Sequence, residues 1–441
     1  MTETPGPADG VPDAETAPTD RAEDAYTRFV HTHLRRNYAA NYLHGMLGMT
    51  GFRLINAPTF IPAYLHALSG SDAIVGLGLG LQQLGTVVSP LVGAAHVEHR
   101  ERVMPIAVRT GTAMRLPILL MAIAGWTMSG APLLWTLIVL LFLFGLFGGM
   151  QRVVFQLLLA KVIPIDRRGR LQAWRNMTGG LIAAGLSYAA GRYLIATNAL
   201  GNGYSTTFLI SFALTSLGLL TLRLLLIEPV LPTRLAQGRF TDRLRDVPRL
   251  VGADRDFRNF LCAQALTMAS RVGAPFYILH ASKTVEMTGM TLGLFSLAFL
   301  GADTVSNLVW GHAGDRWGFR ITFAASLGLW IASTVLLIVA HDTGALLVAF
   351  CGLGAASSGY MLSSQTMVLE FGLRDEIAMR LAISSTVEGA VAAIGPLLGG
   401  LLAAFSGYPV VFWISVAFEV IALAVLLIGV RDPRWAIAEG R

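Results

Sequence analysis

The chain is poor in charge and almost devoid of lysine. Only 14% of its 441 residues are charged, against about 25% in soluble domains. Lys161 and Lys283 are its only lysines, so nearly all the positive charge is arginine. Cysteine is scarce too: Cys262 and Cys351 both fall in predicted helices, which argues against a disulfide framework or a thiolate metal site. No Walker motif, metal-ligand cluster or nucleophile arrangement is present, so ATP hydrolysis and catalysis are unsupported and no cofactor is expected. No N-terminal signal peptide is visible. Residues 1–24 are rich in Pro, Asp, Glu, Thr and Ala and read as a disordered start.

What the chain does have is apolar length. Hydrophobic residues make up 54%, and runs of about 20 of them recur, each enough to cross a roughly 30 Å hydrocarbon core as a helix. The runs are continuous rather than alternating, which excludes a β-barrel. The expected fold is all-α and integral to the membrane. Twelve helices are expected at 40–67, 72–95, 103–126, 132–160, 170–195, 205–227, 257–281, 288–311, 319–340, 344–370, 378–404 and 408–430. The domains are then a tail (1–37), a six-helix bundle (38–227), an arginine-rich linker (228–256), a second bundle (257–430) and a short tail (431–441).

Loop charge sets the orientation. The turns His96–Arg102, Asp166–Arg170, Asp315–Arg320 and Arg374–Arg380 are strongly charged. The alternate turns carry almost no basic residue apart from Lys283. Both termini and the linker are therefore expected on the cytoplasmic side of an inner, plasma membrane. The net charge of +6 needs no nucleic-acid partner, since topology explains it.

The chain is also internally duplicated. The segment Gly311–Arg320, read as a charged loop, has a degraded copy 218 positions earlier, at Gly93–Arg102. Arg53 and Pro58 correspond to Arg271 and Pro275, and both stretches end in Leu-His-Ala. Thr86-Val87 corresponds to Thr304-Val305, Arg170-Leu171 to Arg380-Leu381, and Gly179 and Gly185 to Gly389 and Gly395. The spacing G-x-x-x-D-R-x-G-x-R at 311–320 resembles the signature of the major facilitator superfamily of transporters. The first copy departs from it at Val97, where an acid is expected, and at Arg100, where a glycine is. The resemblance covers roughly residues 40–430. It implies two pseudo-symmetric six-helix bundles, most often a monomer, rocking about a site between them.

In that superfamily helices 1, 4, 7 and 10 line the cavity. Arg53 and Arg271 fall near mid-membrane in helices 1 and 7, where an arginine costs about 2.5–3.5 kcal/mol and must face a cavity or a partner. Such a facing pair resembles the organophosphate:phosphate antiporter branch, and guanidinium forks suit phosphate or carboxylate. Structural ion pairing with an acid is the competing reading. Arg152 in helix 4, beside Gln151 and ahead of Gln156, is a third candidate, or snorkels. Gln83 and Gln365, with Gln82 and Asn307, could bind a solute or join helices.

Three acids lie at membrane depth. Asp303 and Glu388 are candidate proton carriers, Glu419 a lesser one. Each could instead pair with Arg271, Arg115 or Arg109. His66 and His280 are expected at the interface. The resemblance further implies a cytoplasmic gate built from Gly311, Asp315, Arg316, Gly318 and Arg320. Asp315 would meet the start of helix 5 near Arg167–Arg170. Glu98 and Arg102 form the degraded copy, with Glu98 facing Arg374 or Arg380. Arg316 and Arg320 serve equally well as topogenic charges.

The glycines at 76, 78 and 80, at 145, 148 and 149, and the Gly395-Pro396-x-x-Gly399-Gly400 run, like one in drug antiporters, suit close helix packing or a hinge. The drug-antiporter arginine of helix 4 would fall near Leu141 and is missing. Ala274-Pro-Phe-Tyr277 and Lys161-Val-Ile-Pro164 also resemble a superfamily branch without an assigned substrate. The reading is a secondary transporter moving a small organic solute, leaning anionic, with protons as a candidate coupling partner. An exporter of hydrophobic or lipid-like compounds, and a non-transporting membrane sensor or scaffold, stand as alternatives.

Overall fold

The computed structural model describes residues 18–97, 102–229, 251–252, 254–371 and 377–431. Among them the secondary structure is helical throughout. The helices are α1 Pro18–Thr32, α2 Leu34–Ile55, α3 Phe60–Ser69, α4 Asp72–Val97, α5 Met104–Thr127, α6 Gly130–Val162, α7 Ile165–Ala189, α8 Gly203–Leu225, α9 Arg255–Ser270, α10 Tyr277–Ala281, α11 Gly289–Trp317, α12 Phe319–Val339, α13 Thr343–Glu370, α14 Ile377–Ser406 and α15 Tyr408–Gly429. A π-helical turn, Ala190–Ile195, extends α7, and a 3₁₀ segment, Arg271–Phe276, joins α9 to α10.

Among the described residues, nine helices are long and apolar enough to cross a membrane. Of the other three expected spans, the first and fifth fall on helices that are long enough but more polar, α2 and α7, and the seventh on the shorter α9. The first breaks between α2 and α3, where Pro58 has no N–H to give and restricts the residue before it. The seventh breaks at the 3₁₀ segment holding Pro275. These are the two halves of the duplicated Arg…Pro motif, so the repeat becomes a matched pair of helix breaks, each just beyond its arginine. The fifth ends in the π-helical turn.

One expectation is corrected. Residues Gly311–Trp317 form the last turns of α11 rather than a loop, and the connection to α12 is Gly318 alone. Its φ of +95° is open to glycine and costly for a side chain. Gly70 and Gly407 make similar one- or two-residue turns, at φ +62° and +76°. Elsewhere side chains start the helices: Asn202 caps α8, Asp254 α9, Thr288 α11 and Asp342 α13.

Helices α2 to α8 form one bundle and α9 to α15 the other. Aromatic rings fill the second: Phe260, Phe295, Phe323, Phe350 and Tyr360 are all fully buried. Many large apolar side chains point outward instead, among them Leu84, Leu120, Val309 and Ile428, as a lipid-facing surface requires.

The two bundles pack on one another from one membrane face to mid-depth. Helix α4 lies along α14, and α7 along α11. At Gly76 the backbones of α4 and α14 approach so closely that a Cβ would meet the Pro396 carbonyl and Gly400 Cα. The glycines singled out as packing or hinge residues therefore include this inter-bundle seam. Across it, the Thr59 hydroxyl bonds to the Leu292 carbonyl and to Ser296, and the Tyr408 hydroxyl donates to Asp72 at 2.7 Å. The seam lies at the face of the weakly charged turns.

Candidate functional site

The site is best built outward from Arg53, on the last turn of α2 just before the Pro58 break. Its Nη1 donates to Asp303 Oδ2 of α11 at 2.7 Å and to the Thr304 hydroxyl at 3.1 Å. Both partners belong to the other bundle. Gly180 of α7 makes the room, since a side chain there would collide with Thr304 and approach Arg53. The pair is mostly buried, at 19% and 18% exposure. Arginine and acid, singled out separately as binding and proton-carrying residues, thus meet each other.

Arg271 differs from its repeat partner. Its guanidinium lies over the Trp330 ring, 5.7 Å from the centroid, with a long contact to Met268 sulfur. Among the described residues no carboxylate stands within ion-pair distance of it. The repeat explains why. Subtracting the 218-residue offset from Asp303 gives Gly85, so the acid that neutralises Arg53 has a glycine as its counterpart. Gly85 packs against the α6 backbone at Phe142 and Gly145, where a carboxylate has no space.

Glu388 of α14 sits in a polar knot. One of its oxygens accepts hydrogen bonds from Gln264, Tyr360 and Ser364 at 2.8, 2.6 and 3.0 Å. Gln264 also exchanges hydrogen bonds with Ser384. The knot ties α9, α13 and α14 together just below the 3₁₀ break. The Trp330 ring beneath Arg271 also meets Tyr360 of the knot edge-on, centroids 6.3 Å apart. Glu419 is fully buried between α15 and α9, and among the described residues neither of its oxygens has a hydrogen-bond partner.

Of the other expected site residues, Arg152 and Gln365 are exposed on α6 and α13, and Gln83 is exposed on α4. The neighbouring Gln82 is buried and donates to Asn56 beside the Pro58 break. At the far ends of the helices, Arg320 donates to the Leu427 carbonyl, fixing the end of α15. Arg316 lies over Trp317, Asp315 and Arg102 are exposed, and Gly314 leaves room for the Phe319 ring. Glu98 and Arg374 lie outside the described residues. Arg380 pairs with Asp254 at 2.6 Å and covers the Phe257 ring. Gly311 faces open space.

Several contributors escaped sequence reasoning. Trp330, Tyr360 and Gln264 read as ordinary helix residues, and only a three-dimensional neighbour gives them a role. The Lys161–Glu228 pair, almost fully buried at 2.7 Å, ties the root of the linker to α6. Glu228 also caps α5 through the N–H groups of Val103 and Met104. The isolated lysine at a helix end was the one signal for it.

Residues 260–439 match the family model of the Major Facilitator Superfamily. The fold is similar to that of a D-xylose-proton symporter (TM-score 0.72, 12% identity, 91% of this chain and 99% of that one). It is also similar to the nucleoside transporter NupG (TM-score 0.66, 14% identity, 88% and 98%). A bacterial homologue of the human lysosomal transporter Spinster, inward-facing and occupied, is similar at TM-score 0.64, 14% identity, with 89% and 96% covered. A curated relative, the tetracenomycin C resistance and export protein of Streptomyces glaucescens, is 31% identical over 157 residues. Those are 35% of this chain and 28% of the relative's length. The signature at 311–320, the family match over the second bundle and the shared fold make the chain similar to the membrane transporters of the major facilitator superfamily.

Proposed function

We propose that the protein is a proton-coupled secondary transporter of a small organic anion, working by alternating access about the Arg53–Arg271 level. The observation that carries this is Arg271, a guanidinium set over the Trp330 ring with no carboxylate within ion-pair distance among the described residues. A half-buried cation without an acid partner is costly at membrane depth, and an anionic solute removes that cost. Its planar fork offers two parallel hydrogen bonds to a phosphate or carboxylate.

Coupling follows from competition. A solute anion that reaches Arg271 also lies within reach of Arg53 and contests that guanidinium with Asp303. Once displaced, the Asp303 carboxyl group is free to carry a proton. Breaking the pair also removes a bond between bundles, so solute binding and bundle rocking share one event. Glu388 already accepts three hydrogen bonds, which makes it the weaker proton carrier and a holder of the α9 break. Gln83, Gln365 and Arg152 remain candidates for the solute's polar periphery. Asp315, Arg316 and Arg320, with Arg102, serve the opposite face as its gate. The setting is a plasma membrane with both termini cytoplasmic, in which case the packed seam is the outer one.

The test is uptake into proteoliposomes under an imposed pH gradient, across organic phosphates, carboxylates, sugars, cations and lipophilic compounds. Uptake should be confined to anions and be abolished in Arg271→Gln while the protein stays folded. Transport of anions by Arg271→Gln at the wild-type rate would refute the assignment. The exporter reading has one observation in its favour, the partial likeness to an export protein. Transport confined to lipophilic compounds and kept in Arg271→Gln would select it.

A further inference from the structure

The first bundle contains a second group of basic side chains with no carboxylate beside them among the described residues. Arg115 of α5 is 3% exposed and His44 of α2 is 5% exposed. Arg175 of α7 lies across α2 at Gly45, where a Cβ would overlap its guanidinium. Gly45, next to His44, faces Arg175, while Gly218 of α8 faces the His44 carbonyl and its neighbour Leu219 packs at Gly111 beside Arg115. His44 is stacked on Phe155 of α6, ring centroids 4.5 Å apart. One turn before Phe155 along α6 lies buried Gln151, on the same face as Gly148, which looks onto Met114 next to Arg115.

Hydrogen bonding in this pocket is incomplete. Arg115 uses one Nη on the Gly111 carbonyl at 2.6 Å. Its Nε, the Nε of Arg175, His44 Nδ1 and Gln151 Oε1 are all buried and have no partner. No described carboxylate pairs with either arginine. Arg53 is occupied by Asp303 of the other bundle, and Glu228 is held by Lys161. Two guanidinium groups, a ring nitrogen and an amide that can turn its NH₂ inward thus lie among α2, α5, α6 and α7 with no described carboxylate to balance them. Buried charges are paired in folded proteins, and inside a membrane there is no water shell to substitute.

We propose that α2, α5, α6 and α7 enclose a buried oxyanion site, formed by His44, Arg115, Gln151 and Arg175, that takes a phosphate or carboxylate group. Two planar forks favour an oxyanion over a halide, because each can present a pair of parallel N–H donors. The site lies wholly within one bundle and moves with it as a unit. It is separate from Arg271 and does not rest on the assignment of that residue.

The probe is inorganic phosphate, added to the full-length protein in detergent against sodium chloride of equal ionic strength. Phosphate should raise the wild-type Tm by at least about 2 °C and broaden its own ³¹P resonance. Arg115→Gln and Arg175→Gln should lose both responses. In phosphate-free buffer Arg115→Gln should melt no lower than wild type, since it removes a buried cation that has no partner. A purely structural arginine would give a lower Tm with or without phosphate. Arg271→Gln separates the two sources of the anion. If it keeps the phosphate response, the site holds its own anion. If it loses the response along with Arg115→Gln, the phosphate is held at Arg271 and the separate site is overturned. No phosphate effect on the wild type, or an equal effect in the Arg115→Gln, Arg175→Gln double variant, overturns the site.

Discussion

Replacing Asp303 with asparagine should shift the balance between closed and open arrangements of the two bundles without unfolding the protein. The Arg53–Asp303 pair is the mid-membrane charge contact between the bundles, at 2.7 Å and less than one-fifth exposed. At an effective dielectric near 20, two charges about 4 Å apart attract by about 4 kcal/mol. Desolvation of both groups offsets part of that, so the net loss on removing the acid is about 2–3 kcal/mol. None of it belongs to either bundle's own fold. All of it belongs to the state in which α2 touches α11. A penalty of that size on one conformer is a roughly 30- to 150-fold change in its population relative to the other. With Cys262 and Cys351 replaced, spin labels at Ser69 and Ser406 would report the gap across the seam by pulsed electron resonance. Asp303→Asn should add or enlarge a long-distance population while the Tm stays within a few degrees. The swap Arg53→Asp with Asp303→Arg should restore the wild-type distances. An unchanged distance distribution in Asp303→Asn would show that the pair does not hold the bundles together.

The same seam offers two further tests. Tyr408→Phe deletes the hydroxyl that bridges to Asp72, worth about 1 kcal/mol, and should open the labelled gap in the same direction but less far. Gly76→Leu puts a side chain against Pro396 and Gly400. It should stop transport with the protein still folded, and normal turnover would deny that the seam must close in each cycle. The buried pair that roots the linker behaves differently. Glu228→Gln leaves Lys161 nearly fully buried without its acid, so about 3–5 kcal/mol of folding stability should be lost and the Tm should fall sharply. A Glu228→Gln protein as heat-stable as wild type would contradict that role.

What was legible in the sequence was whatever repeats or runs. Apolar length gave the spanning helices and the duplicated motif gave the two bundles, but the breaks at Pro58 and Pro275 fall inside spans read as continuous, 40–67 and 257–281. Arg53, Arg271 and Asp303 stood out because charge at membrane depth is rare. What periodicity cannot tell is which of these touch. Arg53 and Asp303 lie 250 positions apart, and only the crossing of α2 with α11 brings them together. The same blindness hid the polar knot. Gln264, Tyr360 and Ser384 are unremarkable in a helix and acquire meaning from the carboxylate they surround. The signature at 311–320 misled in one respect, since charged polar residues read as a loop. Such residues extend a helix readily once it has left the hydrocarbon, and α11 runs on until Gly318, where the backbone must turn.

The offset of the repeat carries the argument one step further than its motifs. Once Asp303 is mapped onto Gly85, the two halves cease to be equivalent in charge. The first bundle contributes Arg53, Arg115 and Arg175 with no described carboxylate of its own beside them. The second contributes Asp303 and Glu388 with Arg271 between. A seam that closes on Arg53 and Asp303 therefore joins a cationic half to a half that supplies acids. Arg271, left over by the missing acid at position 85, is the charge that the closed seam does not neutralise. The repeat carries two arginines, and with glycine at 85 opposite Asp303 only Arg53 meets an acid across the seam, which is why Arg271 is the one proposed to meet a solute.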